Sequence, residues 1–167
     1  MTSIGIGLLI EEHRGEIAAS WRQAAAALGD PEPALGYAIA PLLRELSVAL
    51  RERDAGARSR EAWARCAVLV RSTARPAQLA REVKALHVAI WGALGASGHA
   101  VMPDERGAVD GWLLDALAEF LDRAERTRAR LDVLGAPSVV AAAPPPLPAR
   151  NLARPEPPPL PGSGRGG

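Results

Sequence analysis

The side chains able to do chemistry are few and scattered. His13, His87 and His99 stand far apart, and none falls in a Cys/His or His-x-x-x-His spacing that would hold zinc. A di-iron bundle needs a Glu with a His three positions later, so that both ligands share one helix face, and no glutamate here has that partner. The available nucleophiles, Ser20, Ser47 and Cys66, have no base at a recognisable spacing. There is no Gly-x-Ser-x-Gly elbow, no phosphate loop and no Gly-x-Gly-x-x-Gly turn. These residues predict neither an enzyme nor a bound cofactor.

Three residues invite a closer reading. Cys66, the only cysteine, lies in the run Cys66-Ala67-Val68-Leu69-Val70 and reads as a buried small apolar side chain; a lone cysteine also excludes an intramolecular disulfide and fits a reducing compartment. His87 sits one turn from Val83 and from Trp91 on a regular helical pattern. A hydrogen-bonded structural histidine is the plain reading there, with haem or metal ligation, or pH sensing, as its rivals. Glu82 lies near the edge of the same apolar stripe, where an i, i+4 or interhelical ion pair is expected.

The elements that must position these residues are all helical. Leu9 or Ile10, Ile17, Trp21, Ala24 and Leu28 recur at helical spacing and predict one helix over 6–28, ended by Gly29-Asp30-Pro31-Glu32-Pro33. A second covers 34–53, its main part beginning with Pro41 in the first turn, and a third begins at an Ser59 N-cap and carries Trp63, Ala67 and Val70. The fourth, 76–94, has the cleanest stripe: Leu79, Val83, Leu86, Ile90 and Leu94. The last, 105–134 with Asp104 as its cap, turns Trp112 or Leu113, Ala116, Leu117, Phe120, Ala124 and Leu131 inward. The prediction is an all-α bundle of four to five helices over 1–134, with no strand and no solenoid repeat. Ten of the 15 prolines lie after residue 135, so 135–167 reads as a disordered proline-rich and glycine-rich tail. Within it Pro145-Pro146-Leu147-Pro148-Ala149-Arg150 has a layout suited to an aromatic groove, although a flexible spacer is the plainer reading.

Composition removes several function classes. A formal net charge of +1 provides no long-range field towards nucleic acid or anionic lipid, so neither partner is expected. The apolar start, Ile4 to Ile10, has no Lys or Arg before it and is followed at once by Glu11 and Glu12, unlike a signal peptide. No apolar run approaches the ~20 residues of a membrane span, and a cytoplasmic location is expected. The basic residues are arginine throughout except Lys84, which suggests a bacterial genome of high GC content.

The opening helix with Leu9, Ile17 and Trp21, the segment Pro41-Leu42-Leu43-Arg44-Glu45-Leu46 with Ala49-Leu50, and above all Glu82-Val83-Lys84-Ala85-Leu86-His87-Val88-Ala89-Ile90-Trp91 resemble one family. It is the N-terminal helical domain of RsbRD-type co-antagonists of the bacterial stress-signalling complex, also found at the front of sensor histidine kinases. The resemblance spans about residues 8–134. Glu82, Leu86 with His87, and Ile90 with Trp91 occupy the places of the family's Glu, Leu-basic and Ile-aromatic positions; Trp63 stands where the family has a histidine on its third helix. The resemblance implies a non-catalytic sensing or partner-binding bundle, often dimeric, with Glu82, Leu86, His87, Ile90 and Trp91 as partner-binding residues and a histidine kinase or stress-signalling regulator as partner. No kinase or phosphorylatable domain follows the bundle, so output is expected to act in trans. Two alternatives stand beside this reading: a small-molecule or haem-binding sensor built on His87 and the tryptophans, and a scaffold component tethered by its proline-rich tail.

Overall fold

Pro76 opens the helix that carries the stripe Leu79 to Leu94, where its fixed φ suits the first turn and its missing N–H costs nothing. In the computed structural model, which describes residues 4–30, 32–52 and 56–135, that helix is the fifth of six. They are α1 (Ile4–Glu12), α2 (Arg14–Ala27), α3 (Ile39–Arg51), α4 (Gly56–Val68), α5 (Pro76–Ala96) and α6 (Pro103–Gly135). Among the described residues there is no strand, and no helix is long and apolar enough to cross a membrane.

The apolar stripe of α5 is buried along its whole length, from Leu79 to Leu94, and packs between α2 and α6. Trp21 from α2, Leu42, Leu43 and Leu46 from α3, Leu86 from α5 and Phe120 from α6 meet in one core. α1 lies against α3, and α4 bridges α3 and α6.

The single helix expected over 6–28 is two, which makes six elements where four to five were predicted. His13 leaves helical geometry at φ −92° and ψ 10°, while its N–H still reaches Leu9 O (2.9 Å) and its carbonyl accepts from Ile17 N (2.9 Å). The chain therefore bends without breaking. The reason is tertiary: Ile6 and Ile10 are buried on the side facing α3, whereas Ile17 and Trp21 are buried towards α5, and one straight helix cannot serve both.

Other boundaries moved for similar reasons. Pro41 does lie in the first turn of α3. Ser59 is not a cap; α4 starts at Gly56 and buries Ser59 within it. The cap of α6 comes from Glu105 instead of Asp104: its Oε2 accepts the Met102 N–H at 3.0 Å, the reciprocal half of a capping box. Leu131, expected inside, is 54% exposed, because the inward face of α6 stops at Ala124. The expected tail lies outside the described residues, apart from Gly135 at the end of α6.

Cys66 is buried, and loss of solvation, reinforced by the Glu45 carboxylate, pushes its thiol up to about 11. Iodoacetamide at about pH 8 should alkylate the native protein roughly a hundredfold more slowly than the urea-unfolded chain, and equal rates would contradict the burial. Because the thiol's folded value is raised, its contribution to stability is present at neutral pH and is lost as pH rises from the ordinary thiol range through about 11.

Candidate functional site

The sequence stretch singled out on α5 divides by helical geometry into an inward and an outward half. Glu82, Leu86 and Ile90 point into the bundle and are enclosed; His87 and Trp91 lie at the surface, half-buried. In this arrangement only the latter two are open to another molecule.

Glu82 has a structural task that its spacing did not disclose. It is 1% exposed, and its partner is not the cation expected for it but backbone: Oε1 accepts from Ala34 N at 2.8 Å and Oε2 from Leu35 N at 2.9 Å. Gln78 Nε2 donates a third bond to Oε1 at 3.0 Å, and the Glu82 carbonyl receives the Trp21 indole N–H at 3.0 Å. Two successive amides at the start of the turn leading into α3 present the positive end of their dipoles to this carboxylate, which caps them from a helix 47 and 48 positions away in sequence. The rest of that loop is tied to the same neighbourhood. Gln78 Nε2 donates to Glu32 O (3.1 Å), Arg71 N to Ala34 O (3.0 Å), and Asp30 binds Arg75 and Arg81 at 2.9 and 3.0 Å. The Arg81 guanidinium, helped by Arg75, holds the Asp30 carboxyl below the usual carboxylate range.

The outward half meets α6. His87 Nε2 lies 2.8 Å from Asp110 Oδ1 and 2.9 Å from Trp91 Nε1, and the Arg106 guanidinium stacks 4.7 Å from the centre of the Trp91 ring. One nitrogen faces two partners with opposite needs. Trp91 can only donate, so it needs Nε2 bare, whereas the Asp110 carboxylate can only accept and needs the proton on Nε2. The two bonds are therefore exclusive, and the position of one proton decides which partner His87 holds. The same nitrogen would be needed by an axial haem iron, and here Trp91 and Asp110 crowd it. Arg106 and Asp110 stand one helical turn apart on α6, and Leu114, one turn further, is exposed. Neither Arg106 nor Asp110 could be assigned to this site from the sequence; their i, i+4 spacing marks a shared face, but nothing local says that α5 lies opposite.

Two other groupings appear only on folding. His99 Nε2 meets the buried Glu105 Oε2 at 3.2 Å, which steadies the loop before α6. Trp63 and Trp112 meet edge to face with ring centres 5.8 Å apart, joining α4 to α6. Among the described residues, no group of three or more His, Cys, Asp or Glu side chains is placed to hold a metal ion. The chain matches no family model, no curated protein and no solved structure. The physical layout of α5 and α6 is therefore what a functional reading rests on.

Proposed function

We propose that this protein is a non-catalytic regulatory module that recognises a partner protein through the α5–α6 face, in the manner of an RsbRD-like sensor domain. The observation that carries this reading is the surface cluster His87–Trp91–Arg106–Asp110, in which the Arg106 guanidinium stacks on the Trp91 ring and His87 Nε2 stands within reach of both Trp91 and Asp110, bonding one of them at a time. Trp and Arg are the side chains that most often dominate binding energy, because each combines a large apolar face with directional hydrogen bonding. Here their rotamers are restrained before any partner arrives, which lowers the entropy cost of binding. The run that carries the family resemblance supports the same division: Glu82, Leu86 and Ile90 hold the bundle together, while His87 and Trp91 face outwards. A stress-signalling regulator or a histidine kinase is the partner class this implies.

The test is affinity capture from a lysate of the cells that make the protein, comparing the natural chain with Trp91→Ala/Arg106→Glu. Arg106 is exposed and Trp91 only half-buried, so circular dichroism should remain that of the natural chain. The natural protein should retain a kinase, phosphatase or anti-sigma regulator, and the variant should lose it, with affinity weakened at least about tenfold. Equal retention of that regulator by both proteins, or its absence from both captures, would refute this reading.

A further inference from the structure

The heptad phase of α6 runs on after its core ends. Leu113, Leu117, Phe120, Ala124, Thr127, Leu131 and Leu134 follow one another at alternating steps of four and three, the a/d pattern that keeps a single seam along a helix. The first four positions are buried or half-buried against the bundle; Leu131 and Leu134 on the same seam are 54% and 81% exposed. From Glu125 to Leu134 the helix continues for about 15 Å with every side chain except Thr127 exposed. Where the covered part ends, Val70, Phe120, Ala124 and Thr127 line a small cleft beside the end of α4. The exposed seam thus continues an interface already in use inside the molecule.

Charge says what fits it. Flanking the exposed seam are Arg128 on one side and Arg123 and Arg130 on the other, the e and g positions that select a coiled-coil partner. Arg126 is engaged by Asp122 (2.7 Å) and Glu119 (3.4 Å), but among the described residues no carboxylate lies within ion-pair distance of Arg123, Arg128 or Arg130. Glu125 and Asp132 lie further round the helix, away from the seam. Two copies of this segment would set arginine against arginine in either orientation, which opposes self-pairing. The chain's own residues 136–167 carry three Arg and one Glu, the wrong sign as well.

We propose that the distal part of α6, through Thr127, Leu131 and Leu134 and the arginines beside them, docks an amphipathic helix of a partner protein whose own seam is flanked by Glu or Asp. This rests on the regulatory reading only in that both assign recognition to helix packing; the surface is separate from the α5–α6 face, and its probe is separate too. The measurement uses the full chain and two synthetic three-heptad peptides with Leu at a and d, one with Glu at e and g and the other with Lys, titrated by calorimetry. The Glu peptide should bind, at least about tenfold more tightly than the Lys peptide, and lose most of that affinity as salt is raised towards 1 M. Leu131→Asp and Arg128→Glu/Arg130→Glu should each weaken it at least about tenfold, while Leu114→Asp, on an exposed site outside the distal seam, should not. Equal binding of both peptides, or none, overturns the proposal, as does a chain that light scattering finds dimeric and that Leu131→Asp renders monomeric. Failure here with successful capture through Trp91 and Arg106 would leave the regulatory reading standing.

Discussion

Replacing Glu82 by Ala should lower the unfolding free energy by about 4 kcal/mol, a large part of the 5–15 kcal/mol usual for a domain. The truncation removes the acceptor for Ala34 N, for Leu35 N and for Gln78 Nε2 at once, in a place where the side chain is 1% exposed and water cannot take over freely. Each unsatisfied buried donor costs about 1–3 kcal/mol, and the vacated carboxylate volume adds a cavity. Glu82→Gln is the informative companion. It keeps the shape and one acceptor oxygen but turns an N–H group towards an N–H group, so about 2 kcal/mol is expected. Urea unfolding followed by tryptophan fluorescence reads both, and Trp21, bound to the Glu82 carbonyl at 3.0 Å, provides a local signal. A loss below about 1 kcal/mol for Glu82→Ala would mean that the loop finds other partners and that the cap is dispensable.

Gly7→Val should be similarly damaging, by about 3 kcal/mol, for a reason of space instead of polarity. α1 and α3 approach so closely that a Cβ on Gly7 would lie 2.8 Å from the Ser47 carbonyl oxygen and 2.9 Å from Arg51 Cγ. The arginine side chain can move; the carbonyl belongs to a helix and cannot retreat without carrying α3 with it. Relief must then come from α1, whose Ile6 and Ile10 are fully buried, so separating the helices exposes apolar surface. Gly7→Ala should cost less, about 1 kcal/mol net, because alanine's better helix propensity offsets part of the overlap. Gly111→Ala is the matched control. Gly111 is exposed on α6 with nothing within 4 Å of a new Cβ, and a gain of about 0.5–1 kcal/mol is expected there. Thermal unfolding of the three variants checks the order; a Gly7→Val protein as stable as the natural one would show that the α1–α3 contact is loose.

The order of residues is enough to show that this chain is helical, which stripes are inward and roughly where most helices stop. Those properties follow from local spacing: a residue's place on a helix depends only on its neighbours, and Leu79 to Leu94 could be recognised as a buried face without knowing what covers it. Pro41 and Pro76 were readable for the same reason, since first-turn tolerance of proline is a property of one turn of backbone. The remaining features, those of the candidate site among them, arise only on folding. The bend at His13 arises because α1 and α2 have different helices to cover. Glu82 stands in the sequence as one more carboxylate near an apolar stripe, and only folding brings the Ala34 and Leu35 amides to it. Asp110 and Arg106 reach His87 and Trp91 because α5 and α6 pack side by side, a choice between faces that no local pattern records. Leu131 continues the periodicity of α6 faithfully, yet it is exposed, because periodicity shows which way a side chain points and only the surrounding helices determine whether anything is there to meet it.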